Sequence, residues 1–152
     1  MGSAPGARPP HFNPDAPTED YVPLAAAALG MSILAGAAVE AVVLLSVRGL
    51  VAQTLPSGPP DPAHPAGILL LFGTLAACGT AVVSCWAALA PLPPYRRGGL
   101  SLLTAFAVVI LALLFAPVNE YTGPLGLATA AALASLGAWR LGRRVAALRR
   151  AA

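Results

Sequence analysis

A chain of 152 residues that is 57% hydrophobic and 10% charged, with a mean hydropathy of +0.75, has too little polar surface to cover a water-soluble core. Its formal net charge of +3 comes from nine arginines with no lysine, and no nucleic-acid partner is expected from it. The lysine-free, Ala-, Gly-, Pro- and Arg-rich composition reads as the coding bias of a GC-rich bacterium or virus.

Residues 1–22 are polar and carry Pro5, Pro9, Pro10, Pro14 and Pro17, a composition expected to stay a disordered cytoplasmic tail. They lack the basic-then-apolar order of a cleavable signal, so the first helix is expected to serve as an uncleaved anchor. Residues 24–47 (LAAAALGMSILAGAAVEAVVLLSV) give 24 positions with one charge, enough to span about 30 Å of hydrocarbon. The segment from Arg48 to Pro65, with LPSGPPDPAHP, reads as an extended loop, because closely spaced prolines remove donors and forbid a regular helix. Within it His64 has no second ligand nearby and is expected to be a solvated loop histidine.

Residues 66–90 form the second expected crossing, ended by PLPPYRR, and residues 99–116 the third. After a short PVNEYTGP loop, residues 125–141 make a fourth and shorter crossing. Its helix is expected to continue as a basic cytoplasmic end over 145–152, with the arginines among headgroups and Leu141, Val145 and Leu148 turned to the bilayer. No segment alternates with the period of a membrane barrel, so the expected fold class is an all-α integral membrane protein, a four-helix transmembrane bundle over 23–144.

Orientation follows from the arginines. With four crossings, Arg8, Arg96, Arg97, Arg140, Arg143, Arg144, Arg149 and Arg150 fall on one side and Arg48 alone on the other. The positive-inside rule then makes both termini cytoplasmic. Arg96, Arg97, Arg143, Arg144, Arg149 and Arg150 are expected to bind lipid headgroups. A bacterial inner membrane fits best, with a viral or host membrane as the alternative.

Glu40 is the one charge expected inside a crossing, about 10 Å below the outer interface if the first helix ends at Val47. Ala28, Ser32 and Gly36 precede it at four-residue spacing, a small-residue stripe of the kind that lets helix backbones approach. Glu40 is therefore expected to face the bundle or a partner. Ala76, Thr80, Ser84 and Ala88 repeat the spacing on the second helix and make a second small, weakly polar face able to meet Glu40. Arg48 and Glu120 are expected to form an ion pair at the outer rim.

Cys78 and Cys85 stand seven positions apart on one helix, too far to bond to each other, and are read as buried free thiols. Bilayer enzymes of this size need groups that are missing: a C-x-x-C, paired intramembrane aspartates, or intramembrane histidines for haem. Asp15, Asp20, Asp61, His11 and His64 all fall outside the crossings. No cofactor, metal site or catalytic residue is therefore expected. Glutathione-dependent four-helix membrane enzymes resemble the chain in length and helix count only.

AVEAVVLLSVRGL, with Glu40 eight residues before Arg48, is similar to the glutamate-bearing first helix of small multidrug-resistance transporters, and FAPVNEYTGPLGLATAAALASLGAW resembles their last hairpin. The long Pro-rich loop and the LPPYRRGG turn depart from their compact pattern, and membership is not assigned. Two function classes follow. The first is a non-catalytic tetraspanning protein, an accessory subunit or assembly or trafficking factor whose partners are the bilayer, other membrane subunits or itself. The alternative is a small proton-coupled transporter or channel using Glu40.

Overall fold

The computed structural model describes residues 21–54 and 65–151, all but the connecting turns helical. The N-terminal tail and the Pro-rich loop with His64 lie outside the described residues. Helix α1 is Val22–Thr54 and α2 is Pro65–Ala88. The last helical stretch, Pro94–Ala151, is divided at Gly123, whose φ of 66° and ψ of −164° are not helical. It therefore comprises α3 (94–122) and α4 (124–151). Each helix is long and apolar enough to cross a membrane, over Val22–Ala52, Ala66–Ala88, Pro94–Phe115 and Tyr121–Arg150. The described residues are thus all-helical, with four candidate membrane-spanning helices, the architecture of a multi-pass membrane protein.

The helices run longer than their apolar segments. α1 continues past Arg48 to Thr54, which corrects the loop reading of residues 48–54. Gly49 to Thr54 contain no proline, and the helix has to stop only where Pro56 restricts the residue before it. α2 begins at Pro65 and α3 at Pro94, each with proline in the first turn, where its missing N–H costs nothing. Arg96 and Arg97 thus lie in the first turn of α3, and not in a loop. The expected PVNEYTGP loop shrinks to Gly123, because α3 carries on through Pro117 and α4 restarts at Pro124. α4 then runs unbroken from its crossing past residue 144 to Ala151, as the expected helical continuation through the arginines requires.

Packing sets an up-down-up-down order around α1, the most enclosed of the four. One core cluster joins Leu24, Ala27 and Ala28 of α1 with Cys85 and Ala88 of α2, Leu89 and Leu92 of the following turn, and Val145 of α4. The start of α1, the end of α2 and the end of α4 therefore meet at one end of the bundle. Gly30 faces Leu141, Gly142 faces Met31 and Gly137 faces Leu34, so α4 runs antiparallel to α1. Leu141 and Leu148 are half-buried and Val145 is buried against the core. This corrects their expected exposure to lipid: the arginines on the other face of α4 leave the apolar face to pack on α1.

The bundle's outer surface is apolar. Leu71, Phe72, Leu75 and Val83 of α2 and Leu102, Phe106, Leu113 and Leu114 of α3 are all exposed, the arrangement a lipid-facing surface requires.

Candidate functional site

The small-residue stripe of α1 is buried along its length. Ala28, Ser32, Gly36 and Glu40 all point inward, and Glu40 retains only 1% of its surface. Gly36 is where three helices meet: a Cβ added there would lie 2.5 Å from Val108 Cγ2 of α3, 3.1 Å from the Ala77 carbonyl oxygen and 3.1 Å from Ala81 Cβ of α2. Ala77, Ala81 and Val108 are themselves fully buried. One turn beyond this junction, Thr74 Oγ1 donates to Glu40 Oε1 at 3.1 Å. Glu40 Oε2 has no hydrogen-bond partner among the described residues.

The face of α2 that meets α1 differs from the one expected. It is Gly73, Ala77, Ala81 and Cys85, with Thr74 beside it; of the expected face only Ala88 is buried against α1, whereas Ala76 is exposed and Thr80 turns its hydroxyl back onto the Ala76 carbonyl at 2.8 Å. Ser84 is half-buried on the wall of a separate groove. The physical reason is size. Gly-Ala-Ala-Cys at four-residue spacing lets the backbones approach, and even a Cβ at Gly73 would collide with Val43. Neither Thr80 nor Ser84 is the partner of Glu40, and Thr74, which sequence reasoning passed over, is.

The pairing also relocates Glu40 in depth. Thr74 lies nine residues after Pro65 and fourteen before Ala88, so along the axis it stands about 14 Å from one end of α2 and about 21 Å from the other. Glu40 thus stands about 14 Å inside the Pro65 end of α2, a few ångström deeper than the sequence places it. The earlier placement assumed that α1 ended at Val47.

Three more polar side chains lie in the same interior: Ser32 of α1 and Ser101 and Thr104 of α3, each buried. Thr104 donates to the Ser101 carbonyl at 2.7 Å, whereas the hydroxyls of Ser32 and Ser101 have no hydrogen-bond partner of normal length among the described residues. Both border the Cys85 thiol. Cys78 makes a long contact of 3.8 Å to the Ala105 carbonyl, and both cysteines are free. The buried polar groups therefore form a line from Ser32 to Glu40, about 12 Å along α1, interrupted at mid-height by the apolar Gly36–Val108–Ala77–Ala81 contact. Ser101, Thr104 and Val108 recur on α3 with helical spacing. That periodicity was visible in the sequence and would have marked the inward face.

At the end where α1 begins and α4 finishes, Arg97 folds back from the first turn of α3 and donates from Nε to the Leu92 carbonyl and from Nη2 to the Ala90 carbonyl. These oxygens follow the end of α2, where no helical donor remains. Arg97 is therefore a cap within the protein, which corrects its assignment to headgroups alone. Arg96 stacks 5.7 Å over Tyr95 and Arg143 5.3 Å over Trp139. Arg144, Arg149 and Arg150 are exposed. Arg48 is also exposed, on α1, and the side chain of its expected partner Glu120 lies outside the described residues. Among the described residues no three His, Cys, Asp or Glu side chains come together as a metal site.

No protein-family model, no curated protein and no solved structure matches the chain.

Proposed function

We propose that the protein is a non-catalytic tetraspanning membrane protein, an accessory subunit or assembly or trafficking factor of a larger membrane complex, in which Glu40 fastens helices to one another. The observation that carries this reading is the enclosure of Glu40. It is held by Thr74 inside the apolar span, one turn from the three-helix contact at Gly36. A polar side chain that hydrogen-bonds across a helix interface, as Glu40 Oε1 does with Thr74, helps to cement it, since in hydrocarbon the alternative is a further unpaired polar group. The broad apolar surfaces of α2 and α3 then remain for lipid or for neighbouring subunits.

The orientation proposed is both termini in the cytoplasm, supported by the clustering of Arg96, Arg97, Arg143, Arg144, Arg149 and Arg150 at one end of the bundle. A bacterial inner membrane is the proposed location. Reporter fusions after Arg97 and after Ala152 should both read as cytoplasmic, and an external signal from either would overturn the map.

One observation favours the second reading, a proton-coupled transporter or channel. Glu40 Oε2 is a buried polar atom without a partner among the described residues, and the Ser32 and Ser101 hydroxyls have only the Cys85 thiol beside them, groups which a proton path would use. Purification in mild detergent with mass spectrometry of the retained proteins, for wild type and Glu40→Gln, separates the two. The amide has nearly the shape of a protonated carboxyl and still accepts from Thr74. A stoichiometric set of larger membrane proteins kept by the Gln variant supports the subunit reading. A homo-oligomer alone, with proton-dependent flux that the Gln variant loses, would sink it.

A further inference from the structure

Away from Glu40, at the end where α1 begins and α4 finishes, α2 and α4 stand apart over the surface of α1 and leave a groove of about 310 Å³. Its floor is Met31, one wall is Ser84 and Ala88, and the other is Gly142, Val145 and Arg149. Among the described residues that line it none is acidic. The groove is open along its side, apolar along its length, and carries one cation at the end toward which α4 leaves the bundle.

We propose that this groove is a binding site for an anionic phospholipid, with the phosphate at Arg149 and the upper part of one acyl chain lying against Met31, Ala88, Gly142 and Val145. The depth is right for it. Val145 packs at the level of Ala88 and Leu89, where α2 ends, and Arg149 lies one further turn out, about 6 Å toward the headgroups. Arg149 lines the groove, and a long side chain of this kind can lay its methylenes along an apolar wall while keeping its charge among the headgroups. The groove has room because its walls are small. Gly142 lies against Met31, and a Cβ there would come within 3.3 Å of the Met31 sulfur. At about 310 Å³ the site is at the lower end of ligand pockets, the size of a headgroup neck and the first part of one chain, and not of a whole lipid. Charge decides the class of lipid. The described part of this end carries seven arginines (Arg96, Arg97, Arg140, Arg143, Arg144, Arg149 and Arg150) and no acid, so a zwitterionic headgroup would bring a surplus positive charge where a negative one is favoured.

Fluorescence quenching tests the site. Trp139 lies one turn from Gly142, so the purified full chain in a Trp86→Phe background, reconstituted into phosphatidylcholine vesicles, reports on lipid there. Acyl-brominated phosphatidylglycerol should quench Trp139 with an apparent affinity about fivefold above that of brominated phosphatidylcholine, the preference expected from one arginine near the surface. Arg149→Gln should bring the two to parity, and Gly142→Leu should do so with every charge in place, by filling the groove. Arg144→Gln, on the far face of α4, should leave the preference intact. Because Arg149 is exposed, its substitution leaves the bundle folded, which the helical circular dichroism and elution volume of each variant check. Equal quenching by the two lipids in the wild type would overturn the proposal. So would a preference that survives both Arg149→Gln and Gly142→Leu, which would mean diffuse surface charge. A preference that emerges only in Asp15→Asn/Glu19→Gln/Asp20→Asn would overturn it too, since the acidic tail would then be the occupant.

Discussion

Gly36→Ala is the sharpest perturbation available. Alanine is the better helix former, by about 0.8–1 kcal/mol over glycine in a helix interior, so a helix judged alone would be stabilised. In the bundle the new methyl meets Val108 Cγ2 at 2.5 Å, the Ala77 carbonyl at 3.1 Å and Ala81 Cβ at 3.1 Å. Val108 is fully buried, and the other two atoms are backbone or rigidly attached to it, so relief requires α1 to move away from α2 and α3. Overpacking of this kind costs about 1–3 kcal/mol, and set against the propensity gain the net expectation is a loss of up to about 2 kcal/mol. Gly49→Ala is the control on the same helix. Nothing lies within 4 Å of its added Cβ, so there the propensity term acts alone and should stabilise by about 0.5–1 kcal/mol. Thermal and denaturant unfolding of both variants in one detergent, followed by helical circular dichroism, measures the opposite signs. If Gly36→Ala were stabilised as much as Gly49→Ala, the close approach of the three helices would be wrong, and with it the register that joins Glu40 to Thr74.

Thr74→Val keeps the shape and removes the one donor to Glu40, and should cost about 0.6–1.7 kcal/mol in the same unfolding assay; a neutral result would mean that Glu40 has another partner. Gly123→Ala should destabilise by about 1–3 kcal/mol although no atom lies near its Cβ, because φ of 66° with ψ of −164° is open in practice only to glycine; an unchanged melting temperature would show that the corner relaxes elsewhere. Cys85, fully buried, should resist a membrane-impermeant maleimide in intact cells until the protein is denatured, with half-buried Cys78 the first to react as denaturant is raised. Rapid labelling of Cys85 in the native protein would require water at the centre of the bundle.

The sequence by itself determined that there are four apolar helices and roughly where each lies, because uninterrupted apolar runs of membrane length bounded by proline and arginine leave no other regular structure. It also singled out the inward stripe of α1, since Ala28, Ser32, Gly36 and Glu40 share one face by periodicity alone. Helix ends were harder to read. Arg48, Arg96 and Arg97 look like loop residues in a hydropathy profile, yet a helix stops for want of backbone partners and not at the first charge. Which residues meet across helices was decided only by tertiary structure. Two faces of α2 carry small residues at four-residue spacing, and the sequence favours the more polar one, with Thr80 and Ser84. Packing against Gly36 and Val43 selects Gly73, Ala77, Ala81 and Cys85 because closest approach is settled by side-chain volume, and that choice makes Thr74 the partner of Glu40. The groove beside Arg149 likewise exists only in three dimensions. Val145 and Leu141 are as apolar as any lipid-facing residue, and only the antiparallel run of α4 along α1 turns them inward and opens the gap toward α2.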